Sequence, residues 1–193
     1  MTCSVERVDS LHQAVGLQWR VVKYVTLYVF PADSLKRRFQ SGVTTDTSEV
    51  LDVVIYSVER EDSLWRAEWR GWAERAMTRD VDVSLGVHSG RALFSIVSCV
   101  NGTGGCDQHF VARTTATWVP LNESYREELQ RRFGGNSFWK GVVVDVTTLH
   151  GIIPLYSSGD ANCCASRNLR LDLKLEGVNI VVGGTKAYRV ASP

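Results

Sequence analysis

The chain has 193 residues, 44% hydrophobic and 22% charged, with a formal net charge of +1. These values fit a folded chain with a core and exclude disordered, collagen-like and membrane-spanning compositions. They also exclude a global basic excess, so affinity for nucleic acid or anionic lipid has to come from local patches.

In chain order, residues 1–18 read as an N-terminal arm. They hold Glu6, Arg7 and Asp9 and lack the continuous apolar stretch of a secretory leader, so an intracellular protein is expected. Trp19 to Phe30 is crowded with Trp, Val, Tyr and Thr and stops at Pro31, which predicts a strand. Its apolar run contains Lys23 and falls short of the roughly 20 residues that cross a bilayer. Lys36-Arg37-Arg38 follows on a turn or short helix opened by Asp33 and Ser34. Asp46-Thr47-Ser48-Glu49 has capping-box spacing, with Leu51, Val54, Ile55 and Val58 behind it at helical spacing. A helix is expected there, with a strand as the alternative because the stretch is β-branched. Trp65, Trp69, Trp72 and Met77 predict an amphipathic helix over Asp62 to Met77, weakened by Gly71.

From Val81 onward the vocabulary turns to β. Strands are expected over Val81–Leu85, Leu93–Val97, His109–Val119 and Val142–Leu149. Between the last two, Tyr125, Leu129 and Phe133 recur at i, i+4, i+8 and Gly134-Gly135 follows, predicting a short surface helix over Asn122 to Phe133. Val178–Val182 and Lys186–Val190 flank Gly183-Gly184 and predict a terminal hairpin. The fold class that follows is α+β: a single domain over 19–193, mainly antiparallel β-sheet with two or three helices packed on it.

The chemistry-bearing residue types form no catalytic or metal-binding pattern. Cys3, Cys99, Cys106, Cys163 and Cys164 are odd in number, which predicts reduced thiols, and with His109 and His150 they lack the short spacings of a zinc site. His88 in Gly86-Val87-His88-Ser89-Gly90 lacks the order of a nucleophile elbow. Asn101-Gly102-Thr103-Gly104-Gly105 lacks the Lys-Ser/Thr of a phosphate loop and reads as a hairpin loop. The expectation is a non-enzymatic protein with no catalytic residue, metal, cofactor or small-molecule substrate. Candidate binding residues are Lys36, Arg37, Arg38, Arg131 and Arg132, which set adjacent cations beside Phe39 or Phe133, as contact with anionic membrane or nucleoprotein requires. The bland alternative is a solvated face with helix-end cations.

Phe110 to Leu121, Leu129-Gln130-Arg131-Arg132-Phe133, Phe138 to Val146 and Gly177 to Val190 follow one another in an order of strand, proline corner, short helix, strand and terminal hairpin. That order resembles the matrix proteins of rhabdoviruses, with plant-infecting members the better comparison. The resemblance implies a virion structural protein on the inner face of the envelope, and in the host cytoplasm or nucleus. Such a protein self-associates and links the viral nucleocapsid to an anionic membrane surface. Against the family pattern, residues 1–18 carry no lysine-rich tail, and no P-P-x-Y or P-T-A-P sequence occurs.

A different class stays open beside it: a β-sandwich binding module of the secreted lectin or immune-decoy type. That reading predicts glycans on the sequons Asn101-Gly102-Thr103 and Asn122-Glu123-Ser124, and a Cys99–Cys106 disulfide.

Overall fold

The computed structural model describes residues 2–14, 17–30, 46–58, 65–76, 80–99, 105–138, 140–161 and 163–190. The chain divides into two compact units, Met1–Arg79 and Asp80–Pro193.

The first unit is an antiparallel sheet in the order β1-β2-β3-β4. Its strands are β1 (Thr2–Ala14), β2 (Leu17–Phe30), β3 (Asp46–Val58) and β4 (Trp65–Ala76). The residues grouped in sequence as an arm thus supply β1, which pairs with β2 from Thr2↔Val29 to Ala14↔Leu17. On β2, Trp19 and Val21 are wholly buried and Arg20 between them is half-buried, the period of two that a strand imposes. Lys36, Arg37 and Arg38, and the turn or helix expected around them, lie outside the described residues.

Both helices expected in this unit are strands, which corrects the α+β reading with two or three helices. Among the described residues there is one α-helix, and it lies in the second unit. For β3 the β-branched residues prevail over the capping box: Val50, Val53, Val54 and Ile55 all sit in the ladder with β2. For β4 the tryptophan spacing of four and then three fits a helix, but Trp is also a strong strand former and Gly71 a poor helix one. The strand pairs with β3, with a register shift at Ile55/Tyr56 opposite Glu68.

The second unit begins with an antiparallel sheet in the order β5-β6-β7-β8. It comprises β5 (Asp80–His88), β6 (Arg91–Cys99), β7 (Cys106–Arg113) and β8 (Trp118–Pro120). Ser89 and Gly90, with φ of 51° and 73°, make the two-residue turn between β5 and β6, which needs left-handed backbone at both positions. The single strand expected over His109–Val119 is broken by a turn in which the Thr114 N–H donates to the Thr117 carbonyl at 2.7 Å. Helix α1 (Tyr125–Phe133) follows, with Glu127 and Glu128 in its first turn and Arg131 and Arg132 in its last, as the helix dipole favours. Gly134, at φ 86°, ends it. After a 3-10 turn (Gly135–Phe138) come β9 (His150–Leu155), β10 (Arg167–Glu176) and β11 (Asn179–Arg189), in the order β11-β10-β9.

Alternation along β10 turns Leu169, Leu171 and Leu173 inward and leaves Arg170 and Lys174 exposed. The leucines share one core with Leu93 and Phe110 of the other sheet and with Tyr125 and Leu129 of α1. Each such leucine, fully buried, contributes roughly 1.5–3 kcal/mol.

Two further expectations in this unit are corrected. Val142–Leu149 is irregular backbone, although Val142, Val144 and Val146 are buried alternately as in a strand. It lies close on the β5 backbone, where a Cβ on Gly86 would come within 2.2 Å of the Val146 carbonyl oxygen. Its polar groups find side chains: His88 Nε2 donates to the Val146 carbonyl at 2.6 Å, and Gln108 bonds Val144. The terminal hairpin is also displaced. Gly183-Gly184 is a bulge opposite Asp172/Leu173 within the continuous strand β11, and the turn lies at Gly177-Val178, where Gly177 has φ 63°.

Candidate anion-binding surfaces around helix α1 and the β10–β11 ladder

Arg131 and Arg132 sit exposed on the last turn of α1. Arg132 pairs with Glu128 one turn earlier, and the pair is half-exposed, so water screens it and its worth is a few tenths of a kcal/mol. This is the solvated helix end that the sequence pattern describes.

The other end of α1 is built differently. Asp107 and His109 alternate with Gln108 along β7, and Glu123 and Arg126 come from the approach to α1 and its first turn. His109 stands between two carboxylates, its Nε2 3.2 Å from Asp107 and its Nδ1 3.3 Å from Glu123. Arg126 ties the same two acids, 3.1 Å from Asp107 and 2.5 Å from Glu123. Hydrogen bonds donated to Asp107 and then Glu123 raise the His109 pKa to about 9, against the opposing pull of burial. At neutral pH the ring is therefore an imidazolium with both N–H groups donating, and it has no free lone pair to act as a base.

The network also closes a sheet edge. Beyond the short β8, the outer edge of β7 would present an unpaired N–H at Phe110 and an unpaired C=O at Gln108. The Glu123 carboxylate accepts from the Phe110 N–H at 3.2 Å, and the Arg126 guanidinium donates to the Gln108 carbonyl. Two charged side chains thus extend the ladder where the strand has ended. On the inner side, the wholly buried Gln108 amide donates to the Val144 carbonyl and accepts from the Val144 N–H, each at 2.8 Å, as a neighbouring strand would. It also donates to Ser95 Oγ at 2.7 Å.

A third cluster is one the sequence reading missed. The β10–β11 register sets Arg167 opposite Arg189 and Arg170 opposite Lys186, with Asn168↔Tyr188 and Leu169↔Ala187 between them. Like charges directly opposite each other weaken a sheet. Arg170, Lys186 and Arg189 are exposed, and Tyr188 is 40% exposed. The only signal in the sequence is two cations at the start of one strand and two at the end of the next, 16 to 22 residues on. It becomes a cluster only when the turn at Gly177 fixes the register.

Cysteine geometry corrects the expectation of reduced thiols. Cys99 and Cys106 are paired residues on β6 and β7, with Cα atoms 4.0 Å apart, and are placed as a disulfide. Among the described residues no group of three or more His, Cys, Asp or Glu side chains is placed to hold a metal ion, and no helix is long and apolar enough to cross a membrane. Comparisons with protein-family models, with curated proteins and with solved structures find no match.

Proposed function

We propose that this is a non-enzymatic assembly protein of the viral-matrix type, which associates with itself and links a polyanionic nucleocapsid to an anionic membrane surface. The observation that supports it best is the pair of like-charge rows in the β10–β11 ladder, a local cationic surface in a chain whose total charge is nearly neutral. Arg131 and Arg132 add a second exposed pair, and Lys36, Arg37 and Arg38 a third in sequence. The Asp107–His109–Glu123–Arg126 cluster at the start of α1 closes the β7 edge. Co-sedimentation with nucleoprotein and with anionic vesicles at low and high salt tests the binding, which is expected to weaken steeply with salt. Sedimentation velocity across a concentration series tests self-association; a strict monomer throughout would sink the assembly part of the reading.

The Cys99–Cys106 disulfide favours a second reading, a β-rich binding module that matures in an oxidising compartment. Intact mass of the native protein separates the two. Glycans on Asn101 or Asn122 would establish the second, and a glycan-free, fully reduced chain would remove it.

A further inference from the structure

We propose that the open end of the β10–β11 ladder seats a single-stranded polynucleotide, whose phosphates lie along the Arg170–Lys186 row and round the β11 edge to Arg189, with Tyr188 stacking a base. The inference rests on the polyanion-binding reading above and names its partner. Rows 167↔189 to 170↔186 are consecutive, so the backbone positions of the four cations span about 10 Å along the strands at roughly 3.3 Å per residue. None of these rows contains a carboxylate. Two acids lie nearby. Asp172 lies 3.9 Å from Arg170 and 3.6 Å from His150, and Asp160, which interacts with Arg167, accepts from the Ser157 and Ser166 N–H groups at 2.7 and 3.0 Å. Among the described residues Lys186 and Arg189 form no ion pair. A line of phosphates relieves the repulsion that the register creates.

Strand alternation decides between a polynucleotide and a membrane. Arg170, Lys186 and Tyr188 share the exposed face of the ladder, while Arg167 and Arg189 belong to the face whose Leu169 and Leu171 enter the core, with Arg189 exposed at the end of that face beside the β11 edge. A bilayer is planar and reaches one face; a flexible strand can follow both. Among the described residues no strand pairs with the β11 edge along 186–189, the bridge to Asn122 lying at Asn179. Arg167 donates to Ser157 Oγ at 3.4 Å and adds to the local field more than to contact. Tyr188, one ladder row from the Ala187 row and two from Lys186, offers the ring on which a base stacks without sequence preference.

Fluorescence anisotropy with a labelled single-stranded RNA, across a salt series, tests this on the whole protein. Replacing Arg170→Ala with Lys186→Ala is expected to weaken binding at least about tenfold and to lower the salt slope by about 1.4, two phosphates at roughly 0.7 each. Tyr188→Ala is expected to weaken it several-fold, while Tyr188→Phe restores it. Thermal melting should hold or rise in the Arg170/Lys186 variant, since a like-charge row is removed. Wild-type affinity in that variant, with loss on replacing Arg131 and Arg132, would overturn the proposed surface and leave polyanion binding standing. Flotation with anionic vesicles but no RNA binding would overturn the partner alone. Binding to neither, nor to nucleoprotein, would end both this inference and the reading beneath it.

Discussion

Helix α1 ends in charge on both sides, yet its two ends do opposite work. At the C-terminal end Arg131 and Arg132 are adjacent and exposed, and among the described residues Glu128 alone answers them. At the N-terminal end Glu123 and Arg126 join Asp107 and His109, which come from a strand many residues earlier, and complete the β7 edge. Adjacent like charges cannot all be neutralised inside a fold, so they stay in water. The charges that the fold uses come in two short-range pairs, Asp107 with His109 on β7 and Glu123 with Arg126 at the start of α1, which tertiary packing brings together. The free cations are where binding is to be sought, and the engaged ones are where stability resides.

The sharpest break of that contrast is Gln108→Leu. It leaves the buried Val144 N–H and C=O without partners, and a loss of about 3 kcal/mol is expected in urea unfolding. Next comes Glu123→Ala, which strips the acceptor from the Phe110 N–H and one of the two acids from His109 and Arg126. About 2 kcal/mol should be lost, and amide exchange at Phe110 should accelerate. Should either substitution cost under about half a kcal/mol, the engaged end is no more structural than the solvated one.

A smaller effect is set by pH. The folded His109 pKa of about 9 stands above its ordinary 6.5, so its contribution to stability is complete below about pH 6.5 and disappears as pH rises through 9. With the side chain 59% exposed, solvent screening leaves about 1 kcal/mol or less. The difference in unfolding free energy between wild type and His109→Gln should therefore shrink between pH 6.5 and 10. An imidazole titration seen by NMR near 6.5 would dissolve the network. Smallest of all, replacing Arg131 and Arg132 with alanine should change stability by under about 0.5 kcal/mol while altering only polyanion binding.

Much that was legible in the sequence was local. The β2 strand was plain from Val, Tyr and Trp crowding up to Pro31, and α1 from the spacing of Tyr125, Leu129 and Phe133 and the stop at Gly134. Arg131 and Arg132 could be assigned to a helix end for the same reason. The Asp107–His109–Glu123–Arg126 network was invisible as a whole, since only the pairs Asp107–His109 and Glu123–Arg126 have a spacing that brings them together without knowing how β7 meets α1.

What the sequence alone determined, then, were the elements whose residues agree with one backbone period and whose ends carry their own stop signals. The tertiary structure decided the rest. Asp46–Val58 and Trp65–Ala76 satisfy a helical spacing almost as well as a strand, and only pairing along β2-β3-β4 settles the matter. The valines of 142–146 alternate like a strand but bond to the Gln108 and His88 side chains. Arg170 meets Lys186 because the chain turns at Gly177 and not at Gly183-Gly184. In each case the deciding hydrogen bonds lie between segments distant in sequence, and a period read along one segment carries no information about which backbone will face it.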